Sequence, residues 1–418
     1  MNPANLTWML LSTALVLLMT PALAFFYGGL VGSKNALNTV MMSFISLGVV
    51  GLTWALGGYT LAFAPGSAFI GDLSQAFLQH VGMEPQSELP RMLFMAYQAT
   101  FAIVTAALIS GSIVGRMRFG AYMLFIAVWT LAVYAPVAHW VWGGGWLGTL
   151  GALDFAGGTV VHVNAAAAAV VAAWVLGPRK DYGRRALVPH SVPFTLFGAG
   201  LLWFGWFGFN AGSALAANQS AVLAFTTTFL APMGTVVVWA LLDLWQTGKV
   251  TGVGTATAIV VGLVAVTPAA GYISPLSSII LGALAAGPSY YCLLLRARTR
   301  LDDSLDVFAA HGVGGMFGAL MTGVFAEKAW NGSVDGLLFG NPKQVALQAI
   351  AIAAVAAYSG IVTFGLVKLV GLIVPLRVTS GDEGLGLDLT QHGEMAYSEG
   401  DGAILIPTLA TDAGRKTS

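Results

Sequence analysis

Charge is what this sequence has least of. Of 418 residues only 9% are Asp, Glu, Lys or Arg, against about 25% in ordinary soluble domains. That scarcity excludes a soluble globular chain and leaves an integral membrane protein. Cysteine is nearly absent too. Cys292 stands alone, so an intrachain disulfide and a cysteine metal cluster are both excluded. No H-E-x-x-H pattern occurs, which removes a ligand set for an intramembrane metalloenzyme, and no metal, cofactor or enzymatic activity is expected. The first ten residues, MNPANLTWML, lack a basic segment. The apolar run they open is therefore read as a first helix, not as a cleaved signal. Net charge is zero, and nucleic acid is not an expected partner.

Long uncharged runs are what the chain has instead. Stretches free of acidic and basic side chains include residues 1–33, 35–71, 92–115, 119–153, 155–178, 186–242 and 250–295. Each can cross a hydrocarbon core that needs about 20 apolar residues, and the last two have room for two spans. The expected fold is all-α, with about eleven transmembrane helices on that length criterion. A β-barrel would show alternating segments of about 10 residues, the opposite pattern. Residues 1–374 form the membrane domain, and 375–418 read as a polar cytoplasmic tail.

Basic residues fall in every second loop, at Lys34, Arg116, Arg118, Arg179 through Arg185, Lys249 and Arg296 through Arg300. The positive-inside rule then puts the N-terminus outside and the C-terminus in the cytoplasm. Five helices (about 7–177) precede the Arg179 loop, five (about 193–326) follow it, and a last helix covers 344–374. Since five is odd, the second set inserts upside down, the inverted repeat with which many transporters frame a midplane site.

Two intramembrane histidines fit that frame. His162 lies eight residues past Asp154 in DFAGGTVVHV, and His311 follows Asp306 in DVFAAHGVGG. At about 1.5 Å per residue the first is about 12 Å deep from one face and the second, seven residues past Ser304 at the other face, about 10 Å deep, so the two can touch. An ionisable residue in a membrane is a functional candidate because it is costly there, though a neutral imidazole bonded to a neighbouring helix is the alternative. Asp154 has two compatible readings. It caps the free N–H groups of a helix start, or it favours entry of a cation.

Aromatic residues narrow the cargo. Phe101 in YQATFAIVT, Trp142 in HWVWGGGW, and Phe209 and Ser213 in WFGFNAGS all fall toward the outer side. Their ring faces and one hydroxyl suit a small cation, although each aromatic alone also reads as part of an interfacial belt.

Taken together, DFAGGTVVH, WFGFNAGS, DVFAAHGVGG, FFYGGLVGSKN and the tail segment GLDLTQHGEMAY resemble the ammonium transporters of the Amt/Mep/Rh family in order and spacing. The resemblance covers nearly the whole chain, and Trp142 is similar to the bacterial Amt branch rather than the Rh branch. It implies an eleven-helix inverted-repeat bundle assembled as a homotrimer, with one pore per subunit. It further implies that Phe101, Trp142 and Ser213 bind ammonium or methylammonium, that Phe101 and Phe209 form a gate, and that His162 and His311 form a twin-histidine pair. Asp154 takes the place of a supporting acid. The resemblance also implies a PII-type signalling partner at the cytoplasmic face of the cell's inner membrane, and a tail that packs there. Gly314 departs from the cysteine found at that place in many bacterial relatives.

The expected activity is capture of ammonium, its deprotonation, and conduction of neutral ammonia past the gate, because a bare cation in an apolar lumen meets a large desolvation cost. Two alternatives remain. A proton-coupled cation antiporter would use the same acids and histidines, and an ammonium sensor would use the same fold.

Overall fold

Residues 2–86, 88–184 and 187–397 are described by the structure, a computed structural model. Among them ten helices are long and apolar enough to cross a membrane, and a shorter one, Gly252–Val266, stands between the seventh and the last three. In chain order we label them α1 (Pro3–Leu30), α2 (Ser33–Phe63), α3 (Arg91–Ile113), α4 (Phe119–Leu150), α5 (Gly158–Leu176), α6 (Val192–Ala211), α7 (Gln219–Thr247), α8 (Gly252–Val266), α9 (Pro275–Arg296), α10 (Phe308–Phe325) and α11 (Lys343–Ile373).

The ends of these helices follow from their capping residues. Asn2, Ser191, Asn218, Thr251 and Ser274 each accept a hydrogen bond from a backbone N–H of the helix they precede, which satisfies donors that the helix itself leaves free. Proline sits in the first turn of α1, α6 and α9, where its missing N–H costs nothing. Gly248 ends α7 in the left-handed region, at φ 74°, a conformation that favours glycine.

Packing repeats between the two halves. Helix α1 lies along α6; α2 packs on α3 and α4, as α7 packs on α8 and α9; α3 flanks α5, as α8 flanks α10; and α11 covers α5 and α10. The all-α inverted-repeat fold read from the sequence is the observed one. Helices α5 and α10 run in from opposite ends and meet at the centre. Close approach there depends on glycine, because a Cβ on Gly315 would lie 3.0 Å from both the Gly158 carbonyl oxygen and His162 Cβ.

Two helix ends near the centre are set by local geometry. Helix α10 begins at Phe308, after a turn through Ser304–Asp306 in which Asp306 takes a φ of 58°. Helix α6 ends at Ala211, in a π-helical turn from Phe207 to Ala211.

The tail is folded against one end of the bundle as far as residue 397. Arg377 donates to the Leu176 and Pro178 carbonyls at 2.9 and 2.8 Å and to Glu383 at 2.7 Å. Asp388 accepts from the backbone N–H groups of Leu37 and Asn38 at 3.0 and 2.7 Å, capping the start of α2 with a carboxylate. Residues 398–418 of the tail lie outside the described residues.

Candidate functional site

Helix α3 places Phe101 in the middle of the bundle, 1% exposed, and the π-helical end of α6 places Phe209 against it. The two rings stack with centroids 4.2 Å apart and planes 25° off parallel. A π-helical turn holds an extra residue, which re-aims the side chains around it, and such turns gather at functional sites. His162 and His311 lie in π-helical turns as well, Gly158–Val163 and Phe308–Val313.

On one side of the phenyl stack is a chamber of about 300 Å³ lined by Phe101, Trp142, Ser213, Gln98 and further aromatic rings. Trp142 stands edge-on to Phe101, with centroids 6.0 Å apart and planes at 89°. Its indole N–H donates to the Asp154 carbonyl at 2.9 Å, so the ring is fixed by the loop that precedes α5. The Ser213 hydroxyl donates to the Phe209 carbonyl at 2.8 Å. With its one hydrogen committed, that oxygen is left as an acceptor toward the chamber.

On the other side of the stack lie the histidines. Their Nδ1 atoms are 3.2 Å apart, their ring planes differ by 22°, and each residue is 2% exposed. Trp206 lies beside His162 at 5.6 Å between centroids. The space around the pair is about 10 Å³, walled by Leu23, Val104, Leu108, Val161 and Val260. That is room for about one water-sized molecule. His311 also borders a cavity of about 430 Å³ at the end where the tail docks, together with Tyr27, Tyr182, Arg296 and Asp306. Chamber, stacked phenyls, histidine pair and cavity thus form one line through the bundle.

Asp154 is not part of the chamber wall. Its carboxylate accepts from the N–H groups of Gly157, Gly158, Thr159 and Val160 at 2.6 to 3.0 Å and from the Thr159 hydroxyl. Burial pushes this carboxyl above its ordinary value, against the opposing pull of those donors. Of the two readings offered by the sequence, the geometry favours capping.

The counterpart of Asp154 in the second half is Asp303, a residue passed over in the sequence. Asp303 accepts from the Val307 and Phe308 N–H groups at 3.1 and 2.7 Å and from the Ser112 hydroxyl at 2.5 Å, and it is fully buried. It precedes His311 by eight residues, the same interval that separates Asp154 from His162. Asp306, which the sequence pairs with Asp154, instead faces Arg296 in an ion pair at the mouth of the 430 Å³ cavity. The interval of eight was the signal available in the sequence. Tyr97 was also passed over. Its hydroxyl donates to the Gly208 carbonyl at 2.9 Å and lies 3.3 Å from Ser213 Oγ, bracing the turn that carries Phe209.

The profile of the Ammonium Transporter Family matches residues 7–397. The chain belongs to the ammonium transporter family. It is 47% identical over 404 residues to an ammonium transporter of Bacillus subtilis, covering 96% of this chain and all of that one. The crystal structure of Saccharomyces cerevisiae Mep2 superposes with a TM-score of 0.88 at 36% identity, covering 97% of this chain and 93% of that one. A structure described as a sensor Amt protein superposes with a TM-score of 0.86 at 27% identity, covering 93% and 98%.

Proposed function

We propose that this ammonium transporter family member carries ammonium across the cytoplasmic membrane as a transporter, without enzymatic chemistry, and that the line of site residues is its path. The observation that carries the reading is the order of chemistry along that line. An aromatic chamber with one acceptor oxygen leads to a closed apolar stack, and the stack leads to two buried imidazoles in contact.

In this reading the chamber faces outside and the tail faces the cytoplasm, as the distribution of Lys and Arg requires. Ammonium enters the chamber and lies against the faces of Trp142 and Phe101, where ring quadrupoles attract a cation, and one N–H donates to Ser213 Oγ. Among the described residues no carboxylate lines the narrow space between the phenyl stack and the tail-side cavity, so a permanent cation such as potassium gains little there to offset its lost hydration. Ammonium differs because it can give up a proton and continue as neutral ammonia.

The histidine pair fits that step. With Nδ1 facing Nδ1, one ring donates and the other accepts, so the two hold opposite tautomers. One pair therefore presents both an N–H donor and a lone pair to ammonia, and it can take up a proton at one end and release it at the other. Three such subunits assemble as a homotrimer, and a PII-type protein docks on the tail face to regulate them.

The sensor reading draws on the likeness to the sensor Amt protein. It predicts ammonium binding without turnover. Purified protein in a planar supported membrane, pulsed with ammonium or potassium, separates the two readings. A saturable current or a rise in internal pH with ammonium alone supports transport, whereas neither signal despite bound methylammonium would assign the chain to sensing.

A further inference from the structure

The aromatic chamber holds a polar group that none of the foregoing uses. Helix α3 carries Gln98 three residues before Phe101, a spacing that sets both on one helix face. Gln98 lines the same 300 Å³ chamber as Trp142 and Ser213. It is 8% exposed, and its amide oxygen Oε1 has no hydrogen-bond partner among the described residues.

That is an unusual state for an amide. A buried acceptor without a donor loses its hydration and gains nothing in return, so a native protein tends to supply a partner. The other chamber groups do not do so. Trp142 commits its indole N–H to the Asp154 carbonyl, and Ser213 commits its hydroxyl hydrogen to the Phe209 carbonyl. The remaining walls, which include Phe63, Phe94 and Phe155, are apolar. Among the described residues no donor is left for it, which points to a bound molecule as the source.

We propose that Gln98 is a second acceptor for the captured cation, and that with Ser213 it makes the chamber read N–H donors. Two oxygens then reach the cation from different helices, and the ring faces of Phe101 and Trp142 cover the rest. The terminal torsion of a glutamine amide is broad, so Oε1 can swing onto the ligand at little cost. Ammonium and primary alkylammonium ions have enough N–H groups to serve both oxygens while facing the rings. A quaternary ammonium ion has none and is left with the ring faces alone.

This inference rests on the transport reading above, and the experiment keeps the two apart. Ammonium-evoked current is recorded from the wild type and from Gln98→Leu, which nearly matches glutamine in shape and has no acceptor, and the thermal midpoint of each purified protein is measured. Loss of a hydrogen bond to a charged group corresponds to about a tenfold or larger rise in KM. Replacing an unpartnered amide by an alkyl group leaves the fold as stable as before or more so. The expected result is therefore a higher KM for ammonium and methylammonium with an unchanged or raised midpoint. Gln98→Glu, which restores an oxygen and adds charge, is expected to lower KM and slow turnover, because a better-held cation gives up its proton less readily. An unchanged KM in Gln98→Leu overturns the proposal, and so does a raised KM that comes with a lowered midpoint, which assigns Gln98 to packing. Absence of current in the wild type itself overturns the transport reading instead.

Discussion

His162 and His311 meet through their Nδ1 atoms at 3.2 Å, each ring almost fully buried. At that distance a single hydrogen lies between the two nitrogens, because two would clash and none would leave facing lone pairs. The pair therefore titrates as a unit, and the state of one ring dictates the tautomer of the other. Replacing either with alanine removes the shared proton, and we expect ammonium-evoked current per assembled protein to fall by about a hundredfold, the lower range for a lost acid–base group. His311→Glu should keep part of it, since a carboxyl group also binds and releases a proton. Wild-type current in both alanine variants, with selectivity against potassium intact, would remove the pair from the path.

Asp154 and Asp303 are the next relationship, two buried carboxylates that cap the helices carrying the two histidines. Asp154 satisfies four backbone N–H groups and one hydroxyl, and each buried donor left unpaired costs about 1–3 kcal/mol. Asp154→Ala should accordingly lose transport together with stability, and Asp154→Glu should retain some of both. Asp303→Asn is expected to be milder, about 1 kcal/mol, since asparagine caps a helix nearly as well as aspartate. The comparison to make is thermal midpoint against current. Loss of current in Asp303→Asn at an unchanged midpoint would show that its role exceeds capping.

Most of the fold was legible in the sequence because a membrane interior allows few solutions. Uncharged runs of the right length must be helices, and alternating basic loops must share a side. That His162 and His311 can meet, as they do at 3.2 Å, was legible from rise per residue and the inverted order of the helices. What the sequence concealed was local. A π-helical turn has no composition of its own, so the extra residue at Phe207–Ala211 that turns Phe209 onto Phe101 could not be read. Asp306 drew attention by standing closer to His311, yet Asp303, at the interval that Asp154 keeps from His162, holds the equivalent place. Gln98 was hidden for a different reason, since only the fold shows that none of the described residues meets its oxygen.

Capture should depend on Trp142 and Ser213 separately. Trp142 presents its ring to the chamber while its N–H is tied to the Asp154 carbonyl, so Trp142→Leu removes a ring face and also frees a loop. A desolvated cation–π contact is worth about 2 kcal/mol, which corresponds to a rise in KM of about thirtyfold. Ser213→Ala removes one acceptor and should raise KM about tenfold with little effect on stability. Saturation curves for methylammonium in the two variants and the wild type test both, and overlapping curves would count against the chamber as the binding site.

The last prediction concerns pH and the cavity on the tail side. Asp306 pairs with Arg296, within the fields of Asp303 and Arg179, and burial holds its carboxyl up at about 7 against an ordinary 3.8. A carboxyl raised in this way keeps its proton in the folded protein at a pH where the unfolded chain has released it. Folding therefore binds a proton, and stability falls as pH rises from about 4 toward about 7, then levels off. Asparagine at this position cannot titrate. It also tolerates the left-handed backbone that Asp306 adopts at φ 58°, as few other residues do. The thermal midpoint of the purified wild type should decline between about pH 5 and about pH 7.5, and the decline should be shallower in Asp306→Asn. Parallel declines in the two proteins would mean that Asp306 is ionised throughout, held by Arg296 in spite of its burial.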